Sequence, residues 1–198
     1  MKRPTLIIII TLIAGLLSDA TAEEKIQGAV SLLYMSGSGS PDAPYSGVSE
    51  SKDYDGIVPR LTISYNVTDR FEINANYTNL GTLKTSWVGN QTPPLLGVAG
   101  RQAITPFEIE EKMEALGLGI AYKTEAGGGS LKFGIEANQI NNEHEGWLIK
   151  KERDWSLAVS AGYEYLLSDR LSVSADYLHI SPPGKSLHLL GGSLRWKF

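Results

Sequence analysis

From 56 to 67 the chain sets Ile57, Pro59, Leu61, Ile63, Tyr65 and Val67 on one side, and Arg60, Thr62, Ser64 and Asn66 on the other. A period of two is the signature of an extended strand. Seven more segments share it, at 25–36, 71–80, 113–124, 130–141, 155–167, 171–181 and 187–198, each bounded by Gly, Pro, Asn, Asp or Ser clusters. The alternate residues carry charge of both signs: Glu72, Lys132, Glu136, Glu164, Asp176 and Arg195 as well as Arg60. A soluble barrel would turn its polar side to water and fill its lumen with apolar groups, leaving no place for the aromatic-rich opposite faces. The pattern therefore predicts an all-β fold, an eight-stranded antiparallel up-and-down transmembrane β-barrel with a polar interior and an outer face in lipid.

The ends of the sequence suit that reading. Residues 1–22 have a basic start (Lys2, Arg3), an apolar run from Leu6 to Leu17 and the small-residue end Ala20-Thr21-Ala22, the pattern of a signal peptide. That run is shorter than the roughly 20 apolar residues of a spanning helix. Residues 23–198 are expected to form the barrel domain. The net charge is −4, and removal of Lys2, Arg3 and Asp19 with the leader makes it more negative, which argues against nucleic acid as a partner. With no cysteine there are no disulfides and no thiolate chemistry. Closure of the sheet must supply the stability instead.

Short and long connections alternate. Thr68-Asp69-Arg70, 125–129 and Ser168-Asp169-Arg170 are tight and assigned to the periplasm; 37–55, 81–112, 142–154 and 182–186 are assigned to the outside, which places both termini in the periplasm. Aromatics gather at both ends of the strands, as interfacial girdles do. Tyr65, Phe71, Tyr122, Phe133, Tyr165, Trp196 and Phe198 lie near the short turns, and Tyr34, Tyr77, Trp155 and Tyr177 near the long connections. The stretch Tyr65–Tyr77 (YNVTDRFEINANY) echoes Tyr165–Tyr177 (YLLSDRLSVSADY) at an offset of 100 residues, one hairpin solution used twice. At 105–112, Thr105-Pro106-Phe107-Glu108 has the pattern of a helix start. Phe107 and Ile109 also fit a strand that slips phase by a bulge near Glu110 and Glu111, and the strand is the favoured reading.

The hairpins Tyr65–Gly81 and Leu116–Gly134 and the end Asp169–Phe198, closing on Leu194-Arg-Trp-Lys-Phe198, resemble the OmpA-type transmembrane barrel and its small OmpX/Ail-like relatives. The resemblance spans 23–198 and implies residence in the outer membrane of a Gram-negative bacterium. It implies contact with outer-membrane lipid and lipopolysaccharide, and assembly by the barrel assembly machinery through the last strand. It also implies a monomer without the wall-binding domain of full-length OmpA proteins.

An eight-stranded lumen is about filled by side chains. Arg60, Lys132 and Arg195 are expected to oppose Glu72, Glu136, Glu164 and Asp176 there, as a charge network that plugs the barrel. No catalytic, metal or cofactor site is expected, and function is assigned to the outer loops in structural or host-contact roles, with a host-surface ligand as partner. A small-solute channel is the alternative, followed by an enzyme. His179-Ile-Ser181 resembles the His-x-Ser of the lipid A deacylase PagL, although Pro182 stands where that family has Asn and no acidic residue follows Asp176. His144 between Glu143 and Glu145 reads as solvated loop charge, since three adjacent residues cannot converge on one ion. The sequons at Asn66, Asn76 and Asn90 and the run Gly127-Gly128-Gly129 carry no function here.

Overall fold

A computed structural model describes residues 25–39, 52–87, 107–145 and 150–198 of the 198-residue chain. Eight strands, β1 (Ile26–Gly39), β2 (Lys52–Asn66), β3 (Phe71–Trp87), β4 (Phe107–Ala126), β5 (Gly129–Glu145), β6 (Lys150–Leu166), β7 (Leu171–Ser181) and β8 (Lys185–Lys197), pair antiparallel in sequence order. The first pairs with the last, closing the barrel. No helix among the described residues is long and apolar enough to cross a membrane.

The two echoing turns are built from the same atoms. Thr68 Oγ1 accepts from the backbone N–H of Arg70 and Phe71 at 3.2 and 3.0 Å, and Ser168 Oγ accepts from Arg170 and Leu171 at 3.4 and 3.1 Å. A hydroxyl at this position stabilises such a turn by mimicking a backbone acceptor. The third turn is two residues, Gly127 at φ 56° and Gly128 at φ 85°, a pairing that glycine adopts without strain and that matches the strand twist. Tyr163 Oη caps it, donating to the carbonyls of Ala126 and Gly127 at 3.1 Å each.

At the opposite end the strands run further than the apolar alternation suggested. β4 has 20 residues, about twice the roughly 9–11 that cross a bilayer, and β3, β5 and β6 have 17 each. Above the apolar band the outward residues turn polar, so the period fades while backbone pairing continues to satisfy the peptide groups. Residues 40–51, 88–106 and 146–149, the centres of the three long connections, lie outside the described residues, as do the leader and the sequon Asn90. The fourth connection tightens to 182–184. Residues 107–112 are strand, with no slip: β4 pairs with β5 without interruption from Glu110 to Ala126. The irregularity lies in β3, between Asn79 and Gly81, where Leu80 is the extra residue and Gly81 takes φ 85°.

Closure itself changes with height. The β2–β3 ladder stops at Arg60↔Thr78, where Pro59 lacks an N–H and Leu80 bulges, and the β6–β7 ladder stops at Leu157↔Ser181. Beyond those points the described strands form two separate leaves, β3–β4–β5–β6 and β8–β1–β2.

The outward face is apolar around the barrel, with Leu61 52% and Val159 52% exposed. Leu61→Arg or Val159→Arg is expected to destabilise the barrel by about 2–4 kcal/mol, the cost of a guanidinium at mid-bilayer. Spin labels at 61 and 159 should collide with oxygen dissolved in the bilayer while labels at 62 and 160 should not; the reverse would refute the assignment of faces.

Candidate functional site

Two regions stand out: the filled lumen and an outward cluster of imidazoles and hydroxyls.

The lumen is layered. Towards the short turns lie eight charged side chains, four of each sign. Glu72 has no exposure; it pairs with Lys132, with Lys123 Nζ at 2.7 Å and, more loosely, with Arg195 Nη1 at 3.9 Å. Arg60 donates to Glu136 Oε1 at 2.6 Å. Arg195 Nη2 lies 3.9 Å from Asp176, which accepts from Ser174 at 2.8 Å and also from Ser193. Glu164 accepts from Ser172 rather than from a cation. Lys123 is a member that sequence reasoning missed. It shares the parity of buried Ala121, the signal that could have found it, and also donates to Asn66 Oδ1 at 3.1 Å.

Above this layer the interior is mainly apolar, with Asn142 buried opposite Met113, contrary to the expectation of a polar lumen throughout. Leu33, Met35, Val58, Leu80, Met113, Ala115, Ile140, Ala158, Leu178, Ile180, Leu187 and Leu189 are buried in one cluster. The register joins them directly, with Leu33 opposite Val58, Ala115 opposite Ile140, and Leu178 opposite Leu189. Where the two leaves lose their shared hydrogen bonds, this core holds them together, as in a small sandwich. Between the layers is a cavity of about 50 Å³, bounded by Leu33 and Leu178 on one side and by Arg60, Lys132, Glu136, Asp176 and Arg195 on the other. At roughly 10–15 Å³ per molecule that volume suits a few waters, not a solute.

The aromatic residues face outward. Tyr34, Phe71, Tyr122, Phe133, Trp155, Tyr165, Tyr177 and Phe198 are exposed, whereas Tyr65, Tyr77 and Trp196 are half-buried against neighbours. Phe71 and Tyr122 contact at 5.3 Å between ring centroids, and Trp196 meets Phe198 edge-on at 6.2 Å. Gly28 makes room for Trp196: a Cβ there would come within 2.8 Å of the indole. Asn76 is buried in the lumen, so its sequon is inaccessible. The side chain of His144 lies outside the description.

His179 and His188 stand directly opposite each other on β7 and β8, their rings 4.5 Å apart. Ser181 Oγ is 2.9 Å from His179 Nε2, Tyr177 Oη is 2.8 Å from His188 Nδ1, and Ser186 Oγ is 3.4 Å from His188 Nε2. The distance between Ser181 and His179 suits a nucleophile and its base. A triad also holds its base by a carboxylate on the far ring nitrogen, and His179 Nδ1 is buried without a partner among the described residues.

The family model described as the outer membrane protein beta-barrel domain matches residues 8–198. Among solved structures, Neisserial surface protein A is similar at 13% identity, with 87% of this chain and 97% of that one covered and a TM-score of 0.61. Ail of Yersinia pestis, in complex with the heparin analogue sucrose octasulfate, gives 12% identity, 87% and 99% coverage and a TM-score of 0.49. The N-terminal barrel domain of Pseudomonas aeruginosa OprF gives 12% identity, 85% and 97% coverage and a TM-score of 0.41. No curated protein matches the chain.

Proposed function

This chain belongs to the outer membrane protein beta-barrel domain family, a family of the Gram-negative outer membrane, and from that premise we propose that it is a closed, non-catalytic barrel whose working surface stands above the lipid. Residues 1–22 direct export and are removed. Both termini face the periplasm, and the two leaves face outward.

The observation that carries this reading is the splitting of the outer strands into two leaves whose facing edges have no strand partner among the described residues. An unpaired edge offers a row of N–H and C=O groups to any extended partner, and proteins ordinarily guard such edges with charge or proline. The β2 edge carries Asp53, Asp55 and Pro59, and the β6 edge carries Lys150, Lys151, Glu152, Arg153 and Asp154. The β3 edge, Asn79–Trp87, has Lys84 alone. It suits an extended peptide of a surface or matrix protein, added as a further strand.

The test compares binding of bacteria to host cells with the protein, without it, and with a variant lacking residues 84–110. That deletion removes the upper β3–β4 hairpin and leaves the ladder Phe71–Gly81 with Met113–Tyr122 in place. Binding is expected to fall to the level of cells without the protein. Undiminished binding by the trimmed variant would refute the role of that edge.

A further inference from the structure

Arg195 is enclosed in the lumen with few partners. It is 7% exposed, and its guanidinium carries five N–H donors. Nε donates to Ser174 Oγ at 3.3 Å, whereas Nη1 stands 3.9 Å from Glu72 Oε1 and Nη2 stands 3.9 Å from Asp176 Oδ1. Those two separations are ion-pair distances, too long for hydrogen bonds. Nη1 accordingly has no hydrogen-bond partner among the described residues. Glu136, 3% exposed on β5, has a matching gap: Oε1 accepts from Arg60 Nη2 at 2.6 Å, and Oε2 has no hydrogen-bond partner among the described residues.

Both residues line the cavity of about 50 Å³ between the charged and apolar layers. A buried donor and a buried acceptor that face one cavity, each without a partner, call for an occupant that accepts from the first and donates to the second. Water does both. An anion would answer Arg195 but meet the carboxylates of Glu136 and Asp176 on the same cavity, and a metal cation would answer those carboxylates but meet Arg60, Lys132 and Arg195. We propose that the cavity is a water-binding site whose waters accept from Arg195 Nη1 and donate to Glu136 Oε2. Leu33 and Leu178, which bound it towards the apolar layer, offer no hydrogen bonds, so the waters find their partners among the charged groups. The bridge joins the Arg60–Glu136 pair to the cluster of Glu72, Lys132, Lys123, Arg195 and Asp176, a link that no ion pair among the described residues makes.

The experiment uses the full mature chain in lipid bilayers with isotope-labelled arginine, and solid-state NMR reads the transfer of polarisation from water protons to the guanidinium nitrogens. Arg195→Lys identifies the Arg195 signals by their loss. In the unaltered protein Arg195 Nη1 is expected to receive polarisation from water in spite of its burial. Ser160 lines the same cavity. Ser160→Val, which fills the space with methyl groups, should lose that transfer, and Ser160→Ala, which leaves the space open, should keep it. Absence of transfer in the unaltered protein, transfer that Ser160→Val leaves undiminished, or its loss in Ser160→Ala would each overturn the site. A shift of the Arg195 signals when sulfate replaces chloride in the buffer would overturn it too, since the occupant would then be an anion. Heat-modifiable gel migration establishes that each variant is folded, and Leu178→Phe fills the cavity from its apolar side should Ser160→Val fail to fold.

Discussion

Glu72→Ala is expected to destabilise the folded barrel by about 3–5 kcal/mol, because it strands charges that were buried as partners. Glu72 has no exposed surface and faces Lys132, Lys123 and Arg195. Removing it leaves three cations in an enclosed lumen, with Asp176 as the nearest remaining anion of Arg195. The double variant Glu72→Ala, Lys132→Met should recover part of the loss and not all of it, since Lys123 and Arg195 stay uncompensated. Glu136→Gln should rescue nothing, because Glu136 answers Arg60. Urea unfolding in lipid vesicles provides the measurement, and a double variant whose loss equals the sum of the two single losses would mean that Glu72 and Lys132 are not coupled.

The same residues mark how far sequence could reach. Parity along each strand gave the face of every lumen charge but Lys123, because a period of two leaves no other choice once one side is apolar. It did not give height, and pairing depends on height. Lys132 could have met Glu136 or Glu164 as easily as Glu72, and only the stagger between β3 and β5 brings Lys132 to Glu72. The turns were legible for a local reason: Thr68 and Ser168 act on the backbone two and three residues ahead, so their chemistry is contained in the motif.

The apolar layer was hidden by its own composition. Where Leu32-Leu33-Tyr34-Met35 and Leu189-Leu190 are apolar on both faces, alternation disappears and the inward members read as part of the lipid face. The fork between the leaves was hidden for a different reason, since Pro59 and Gly81 are single residues on two strands whose juxtaposition is a property of register. Splitting of the leaves and apolar filling occur together because paired strands close a barrel with hydrogen bonds, whereas separated leaves need a core.

That core is also expected to keep the barrel closed to ions. Ile140 is fully buried within it, so Ile140→Asp places a carboxylate among Ala115, Met113 and their neighbours and is expected to cost several kcal/mol. Ile140→Ala, which only opens a cavity, should cost about 2–4 kcal/mol. An apolar constriction resists ions by excluding water from itself, so polarity rather than size should open it. The paired variant Ile140→Ser, Leu189→Ser is therefore expected to give discrete single-channel openings in a planar bilayer, while the unaltered protein and Ile140→Ala stay silent. Steady conductance by the unaltered protein would place the ion path elsewhere and favour the channel reading. Silence of the doubly polar variant, once it is shown to be folded, would instead make the charged layer of Glu72, Lys132 and Arg195 a sufficient seal without the apolar layer above it.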